Sequence, residues 1–192
     1  MSLTARNALV EKATLRDGQL VFVTGCLGGV GRSAVQIARM RGPNVVGSCS
    51  ASWREEALAL GVSQVVDYHA FNVESRRHDF DVVFDNALSL SQCGAMLKRG
   101  DTSLHIVPTL AKMIGCLLPS QHHLVLGNPT LQALTGIAGA AERGELVPAI
   151  GRVVALSEAI SAVVELEKTG LPKGKLVIAP TRWPFGIRLE PT

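Results

Sequence analysis

Leu20-Val21-Phe22-Val23-Thr24-Gly25-Cys26-Leu27-Gly28-Gly29-Val30-Gly31 joins an apolar run to a glycine-rich turn. The run is short, rich in Val and Phe, and bounded by Gly18 and Gly25. That pattern predicts a strand buried on both faces. Beyond it, Val30, Ala34, Ile37 and Ala38 recur at helical spacing, while Arg32, Arg39 and Arg41 fall on other faces. The turn between them must be tight, and its backbone must come close to whatever it binds. Glycine allows both because it has no side chain. The helix that follows offers unpaired N–H groups and a positive dipole end, which suit a phosphate. The strand–turn–helix context raises this pattern above a lone glycine motif and points to a dinucleotide. No Gly-Lys-Ser/Thr follows, so the turn is not a P-loop.

The same alternation continues outward. Gly42-Pro43 stops the helix, and residues 44–48 read as a second strand. Ser52 is expected to cap a helix over 53–60 that ends at Gly61. Residues 64–67 and 81–85 read as the third and fourth strands, and the polar stretch 72–79 as the connection between them. A helix over 91–97, a strand over 102–107 stopped by Pro108, and a strand over 124–126 follow. Pro129 suits the first position of a helix running to Arg143. Residues 152–155 and 175–179 read as further strands flanking a helix capped by Ser157, and 181–192 as a tail. The expected fold is α/β: a doubly wound, mostly parallel Rossmann sheet in three layers, with its ligand at the carboxyl ends of the strands.

Composition narrows the classes. The chain has 192 residues, 47% of them apolar and 18% charged, which is enough for a core. No run of 18 apolar residues exists, so a membrane-spanning helix is not expected. The net charge of +3 is not gathered into a stripe, which argues against nucleic acid. Cys26, Cys49, Cys93 and Cys116 follow no CxxC spacing, so neither a metal site nor a disulfide framework is expected. The first residues lack a charged stretch followed by an apolar one, so no secretory signal and, by default, a cytoplasmic setting are expected. His105 reads as a core or strand-end residue, and His122-His123 as a solvated turn.

Three nucleotide-binding chemistries fit the turn. A short-chain reductase needs Tyr with Lys four residues on, but the single tyrosine, Tyr68, is followed there by Asn72. An adenosylmethionine-dependent methyltransferase needs an acid ending the second strand, and the first acid after Val45 is Glu55. That lack also disfavours NAD(H), whose ribose hydroxyls take such a carboxylate. Ser48, Ser50, Ser52 and Arg54 instead suit the 2′-phosphate of NADP(H).

At this point the chain resembles the cofactor-binding domain of medium-chain dehydrogenases/reductases, in their zinc-independent, quinone-oxidoreductase-like branch. The carrying residues are Thr4-Ala5 with Ala8-Leu9, Gly28-Gly29-Val30-Gly31 with Ala34-Val35-Gln36, and Leu60-Gly61 with Val66-Asp67-Tyr68. Further along are Asp81-Val82-Val83-Phe84-Asp85, then residues 144–148 and 174–177. The resemblance implies that Gly28, Gly29 and Val30 hold the pyrophosphate. It places Ser50, Arg54 and Tyr68 around the adenosine phosphate, Asn86 and Ala87 near the ribose or nicotinamide, and Val107 and Pro108 on the nicotinamide side. Cys26 stands where the family has Gly or Ala, so its side chain must fit beside the loop.

The resemblance also implies hydride transfer to a quinone or an activated C=C or carbonyl substrate. The GroES-like catalytic domain that precedes this region in the family is expected to be missing. Cofactor binding without complete catalysis, and no catalytic residue within the chain, are therefore expected. Residues 4–147 would form the dinucleotide-binding domain, and 148–180 a strand–helix–strand segment returning toward the catalytic domain. A homodimer through the sheet edge near Leu124-Leu126 is expected. The alternatives are a non-catalytic nucleotide-binding or structural module, and methyl transfer.

Overall fold

The computed structural model describes residues 1–117, 120–169 and 174–180. They divide into two compact units, residues 1–147 and residues 148 onward.

The first unit is built on six parallel strands: β1 (Leu20–Val23), β2 (Asn44–Cys49), β3 (Gln64–Asp67), β4 (Phe80–Asp85), β5 (Leu97–His105) and β6 (His122–Leu124). Their order is β3-β2-β1-β4-β5-β6. The winding reverses between β1 and β4, which opens a crevice at their carboxyl ends.

Alternation along the strands makes two apolar faces. Val21, Val23, Val45, Val82, Phe84 and Leu104 share one cluster. It is covered by α1 (Ser2–Arg6) with its π-helical continuation Asn7–Lys12, α2 (Gly29–Met40), α3 (Arg54–Leu60) and α6 (Leu131–Glu142). Phe22, Val46, Phe80 and Val83 face the other way, against Cys93 and Met96 of α4 (Leu90–Met96). The result is the three-layer α/β arrangement expected. Helix α2 can lie close on the sheet because its buried face is made of Gly31, Ala34, Val35, Ile37 and Ala38.

Several boundaries differ from expectation. The last strand is 122–124 rather than 124–126, so both histidines lie in it. Leu97 begins β5 instead of ending a helix, and a register shift between Phe80 and Val82 absorbs the early start. Helix α6 begins at Leu131, with the Thr130 hydroxyl accepting from the Ala133 amide, so Pro129 precedes the cap. Ser52 does not cap α3; its hydroxyl pairs with Ser50 at 3.1 Å. The polar connection contains a 3-10 turn, Val73–Arg76, whose Val73 packs with Phe71 on the core. Helix α5 (Leu110–Gly115), capped by Thr109, had no periodic signal strong enough to read. Gly61 ends α3 as expected, at φ +102° in the left-handed region.

The second unit pairs β7 (Ile150–Ala155) with β8 (Lys175–Ala179) in parallel, and α7 (Ala159–Thr169) lies between them in the chain. A 3-10 turn at Leu156–Glu158 stands where a Ser157 cap was expected. The expected tail, 181–192, lies outside the described residues.

Candidate functional site

The turn after β1 is built as the glycines require. Gly25 takes φ +57°, a conformation that strains any residue with a side chain. Its amide donates to the Ser48 hydroxyl at 3.1 Å, and the Cys26 amide donates to the Ser48 carbonyl at 3.0 Å. These bonds tie the turn to the end of β2. The Gly28 amide closes the turn on the Gly25 carbonyl at 2.9 Å. Helix geometry leaves the amides of Gly29, Val30 and Gly31, the first three of α2, without intrahelical acceptors. The open donors of the cradle are therefore these three, while Gly28 shapes it. Gly28 and Gly29 are exposed, and Val30 is half-buried.

Cys26 fits because of a residue twenty-one positions on. A Cβ added to Gly47 would lie 2.7 Å from the Cys26 Sγ, so the missing side chain of Gly47 is the space the thiol occupies. Burial pushes the Cys26 thiol up to about 12, helped by the neighbouring Cys49. It is a packing group at neutral pH, not a nucleophile.

Ser50 follows the second strand directly, half-buried, with its hydroxyl paired with that of Ser52. Arg54 opens α3 and donates through one guanidinium nitrogen to the Val65 carbonyl at 3.2 Å; the residue is exposed. Tyr68 follows β3, exposed, with its ring 4.1 Å from that of His69 and its amide on the Cys49 carbonyl. These three residues lie at the carboxyl ends of β2 and β3 or just beyond them, on the same side of the crevice.

Asn86 crosses the switch point. Its side-chain amide donates to the Thr24 carbonyl at 2.9 Å, and its backbone amide to the Thr24 hydroxyl at 2.8 Å. The Thr24 hydroxyl in turn donates to the Asn86 side-chain oxygen at 2.8 Å. The Asn86 side chain also lies over Gly25, 3.2 Å from where a Cβ would stand. It thus braces the two central strands against each other. Ala87, Val107 and Pro108 are exposed at the ends of β4 and β5.

Under these two ends lies a buried polar network that local sequence reasoning missed. The Asp85 carboxylate takes the Lys112 ammonium at 2.6 Å and faces His105 Nδ1 at 2.8 Å. Its other oxygen accepts from the amides of Ala87 at 2.8 Å and Leu88 at 2.6 Å. Ser103 then bridges His105 Nε2 at 2.8 Å and His122 Nδ1 at 2.5 Å. Asp85, Ser103 and His105 are fully buried. Burial alone would raise the Asp85 carboxyl, but the bonds from His105, Lys112, Leu88 and Ala87 hold it below the usual range. His122 is pushed down by burial and by the neighbouring His105 and His123. His105 is a core residue, as expected, but a hydrogen-bonded one. The solvated turn expected at His122-His123 is instead a half-buried edge strand.

Asp85, Cys93 and His105 bring three metal-capable atoms within 4.8 Å of one another. They do not suit a divalent ion. The Lys112 ammonium already takes the cation's place on Asp85, and burial holds the Cys93 thiol protonated.

The sequence profile of a family described as zinc-binding dehydrogenase matches residues 60–178. The mitochondrial NAD(P)H oxidoreductase RTN4IP1 of Bos taurus is 28% identical over 211 residues, covering 93% of this chain and 53% of that protein. The quinone oxidoreductase of Rattus norvegicus is 29% identical, covering 91% of this chain and 59% of that one. The solved quinone oxidoreductase of Coxiella burnetii superposes with a TM-score of 0.76 at 26% identity, over 92% of this chain and 57% of its own. The chain thus spans 53–59% of the length of these relatives.

Proposed function

This chain belongs to the zinc-binding dehydrogenase family and carries the cofactor-binding domain of a medium-chain dehydrogenase/reductase, and on that premise we propose that it binds NADP(H). In the reaction we assign to it, hydride passes to a quinone or to an activated C=C or carbonyl group. When bound, the nicotinamide supplies the hydride; the chain's own residues bind and orient it. The amides of Gly29, Val30 and Gly31 receive the pyrophosphate, with Gly28 shaping the approach. Ser50, Arg54 and Tyr68 surround the adenosine phosphate. Asn86, Ala87, Val107 and Pro108 border the nicotinamide half. A further domain, of the kind that accounts for the rest of the relatives' length, supplies the substrate pocket. Zinc is not assigned to the Asp85–Cys93–His105 group, where the Lys112 ammonium already pairs with Asp85 and the Cys93 thiol is held protonated.

The preference for NADP(H) over NAD(H) rests on one observation: β2 ends at Cys49 and is followed by Ser50 and Arg54, with no carboxylate at its end. Calorimetric titration of the chain with NADPH and NADH tests it. Arg54→Ala is expected to weaken NADPH by about tenfold or more, the scale of one lost charge-assisted bond, and to leave NADH nearly unchanged. Equal losses would remove the 2′-phosphate assignment. Absence of all binding would favour the structural module, and binding of adenosylmethionine alone would favour the methyltransferase.

Strand β6 is the outermost of the six described, and Leu126 just past it is 71% exposed. A homodimer through that edge, at residues 122–124, is expected to sediment as a dimer at tens of micromolar protein; a monomer there would discard it. The four free thiols accord with a reducing compartment such as the cytoplasm, although RTN4IP1 is designated mitochondrial. Among the described residues no helix is long and apolar enough to cross a membrane.

A further inference from the structure

The two loops assigned to the nicotinamide half meet on one buried carboxylate. The loop after β4 begins at Asn86, and its Ala87 and Leu88 amides both donate to Asp85 Oδ1. The loop after β5 spans residues 106–109, between His105 and α5. Asp85 Oδ2 holds a residue on each side of it: His105 through Nδ1 and Lys112 through its ammonium. Four donors from three segments thus converge on one side chain that is wholly out of solvent.

The network leaves His105 little freedom. With His105 neutral, one placement of protons satisfies every contact. His105 Nδ1–H donates to Asp85, Ser103 O–H donates to His105 Nε2, and His122 Nδ1–H donates to the Ser103 oxygen. The imidazole is held at both ring nitrogens, and the chain of bonds runs out to the edge strand. Such a network is stiff because each broken link would leave a buried polar atom unpaired.

We propose that Asp85 is a positioning residue that sets the nicotinamide-facing edge of the cofactor site by stapling the β4 and β5 loops to α5. It touches no cofactor itself and acts through Ala87, His105 and Lys112. This rests on the cofactor reading above and adds a division of labour to it. The adenosine half of the site is tied through Ser48 to the glycine turn; the nicotinamide half is tied through Asp85.

Asparagine cannot replace that carboxylate. If its oxygen keeps the Ala87 and Leu88 amides, its NH2 group faces the Lys112 ammonium and the His105 ring, and donor meets donor. The test uses the full chain, with NADPH and 2′-phospho-ADP-ribose as probes; the second lacks only the nicotinamide ring. Asp85→Asn is expected to weaken NADPH about tenfold while leaving 2′-phospho-ADP-ribose within twofold. Lys112→Met, which keeps the carboxylate and its amide bonds, is expected to give the same split with a loss of about threefold. It also stands in if Asp85→Asn does not fold. A merely structural role would lower both ligands together. Equal losses for both ligands, or unchanged NADPH affinity in the folded variant, would overturn the proposal while leaving the cofactor reading intact. A wild-type chain that binds neither probe would overturn both.

Discussion

Gly31→Ala is expected to cost the chain nearly all of its affinity for NADPH, by about two orders of magnitude or about 3 kcal/mol. A methyl group at this position would stand 2.2 Å from the Gly25 carbonyl oxygen, 2.9 Å from its carbon and 3.0 Å from the Cys26 Cα. All three are backbone atoms, so no side chain can swing aside. Gly25 cannot retreat freely either, since its φ of +57° and its bond to Ser48 fix it from the β2 side. The turn must open, and the amides of Gly29 and Val30 move with it. Donors preorganised for a diphosphate lose most of their value when displaced by about 1 Å. The accompanying loss of stability is expected to be about 1–3 kcal/mol, the usual range for overpacking. Calorimetric titration beside a urea melt separates the two effects. A folded Gly31→Ala chain that binds NADPH as the wild type does would show that the cofactor is not held at this turn.

Phe22→Ala is expected to act on the fold alone. Phe22 lies in the middle of β1, fully buried, with its ring 5.2 Å from that of Phe71 and 5.0 Å from that of Phe80. Its neighbours in register are Val46 on β2 and Val83 on β4. Removing the ring should cost about 3–5 kcal/mol through lost burial and the cavity left behind. Domains of this size are stable by only about 5–15 kcal/mol, so a large share of the margin goes. The urea midpoint is expected to fall steeply, while the fraction that remains folded binds NADPH unchanged, because Phe22 faces away from α2. A loss below about 1 kcal/mol would mean that this face closes around the gap, against the packing described.

The contrast between these variants shows which parts of the molecule were legible beforehand. The glycine turn could be read because each requirement is local: a positive φ at Gly25, a close approach at Gly31, a strand before and a helix after. Residues 64–67 were placed at their observed bounds because two adjacent β-branched residues, Val65 and Val66, follow the helix stop at Gly61. The last strand was misplaced by two residues. Leu124-Val125-Leu126 is the more apolar stretch, yet His122 and His123 pair with Ser103 and Leu104, and Ser103 offers His122 a hydrogen-bond partner. The helix over 110–115 is only six residues long and mostly exposed, with Lys112 its one buried residue, too short to show a period.

By itself the amino-acid order determined the alternation of strands and helices and the phosphate-ready turn, because hydrophobic period and glycine placement act between near neighbours. Tertiary structure alone decided that His105, Lys112 and His122 would join Asp85 in one network, that Gly47 would hold the Cys26 thiol, and that Asn86 would clasp Thr24 across 62 residues. The reason is physical. A polar side chain in an apolar strand carries no mark of its partner, and which groups meet depends on strand register and on the order in which the sheet is wound.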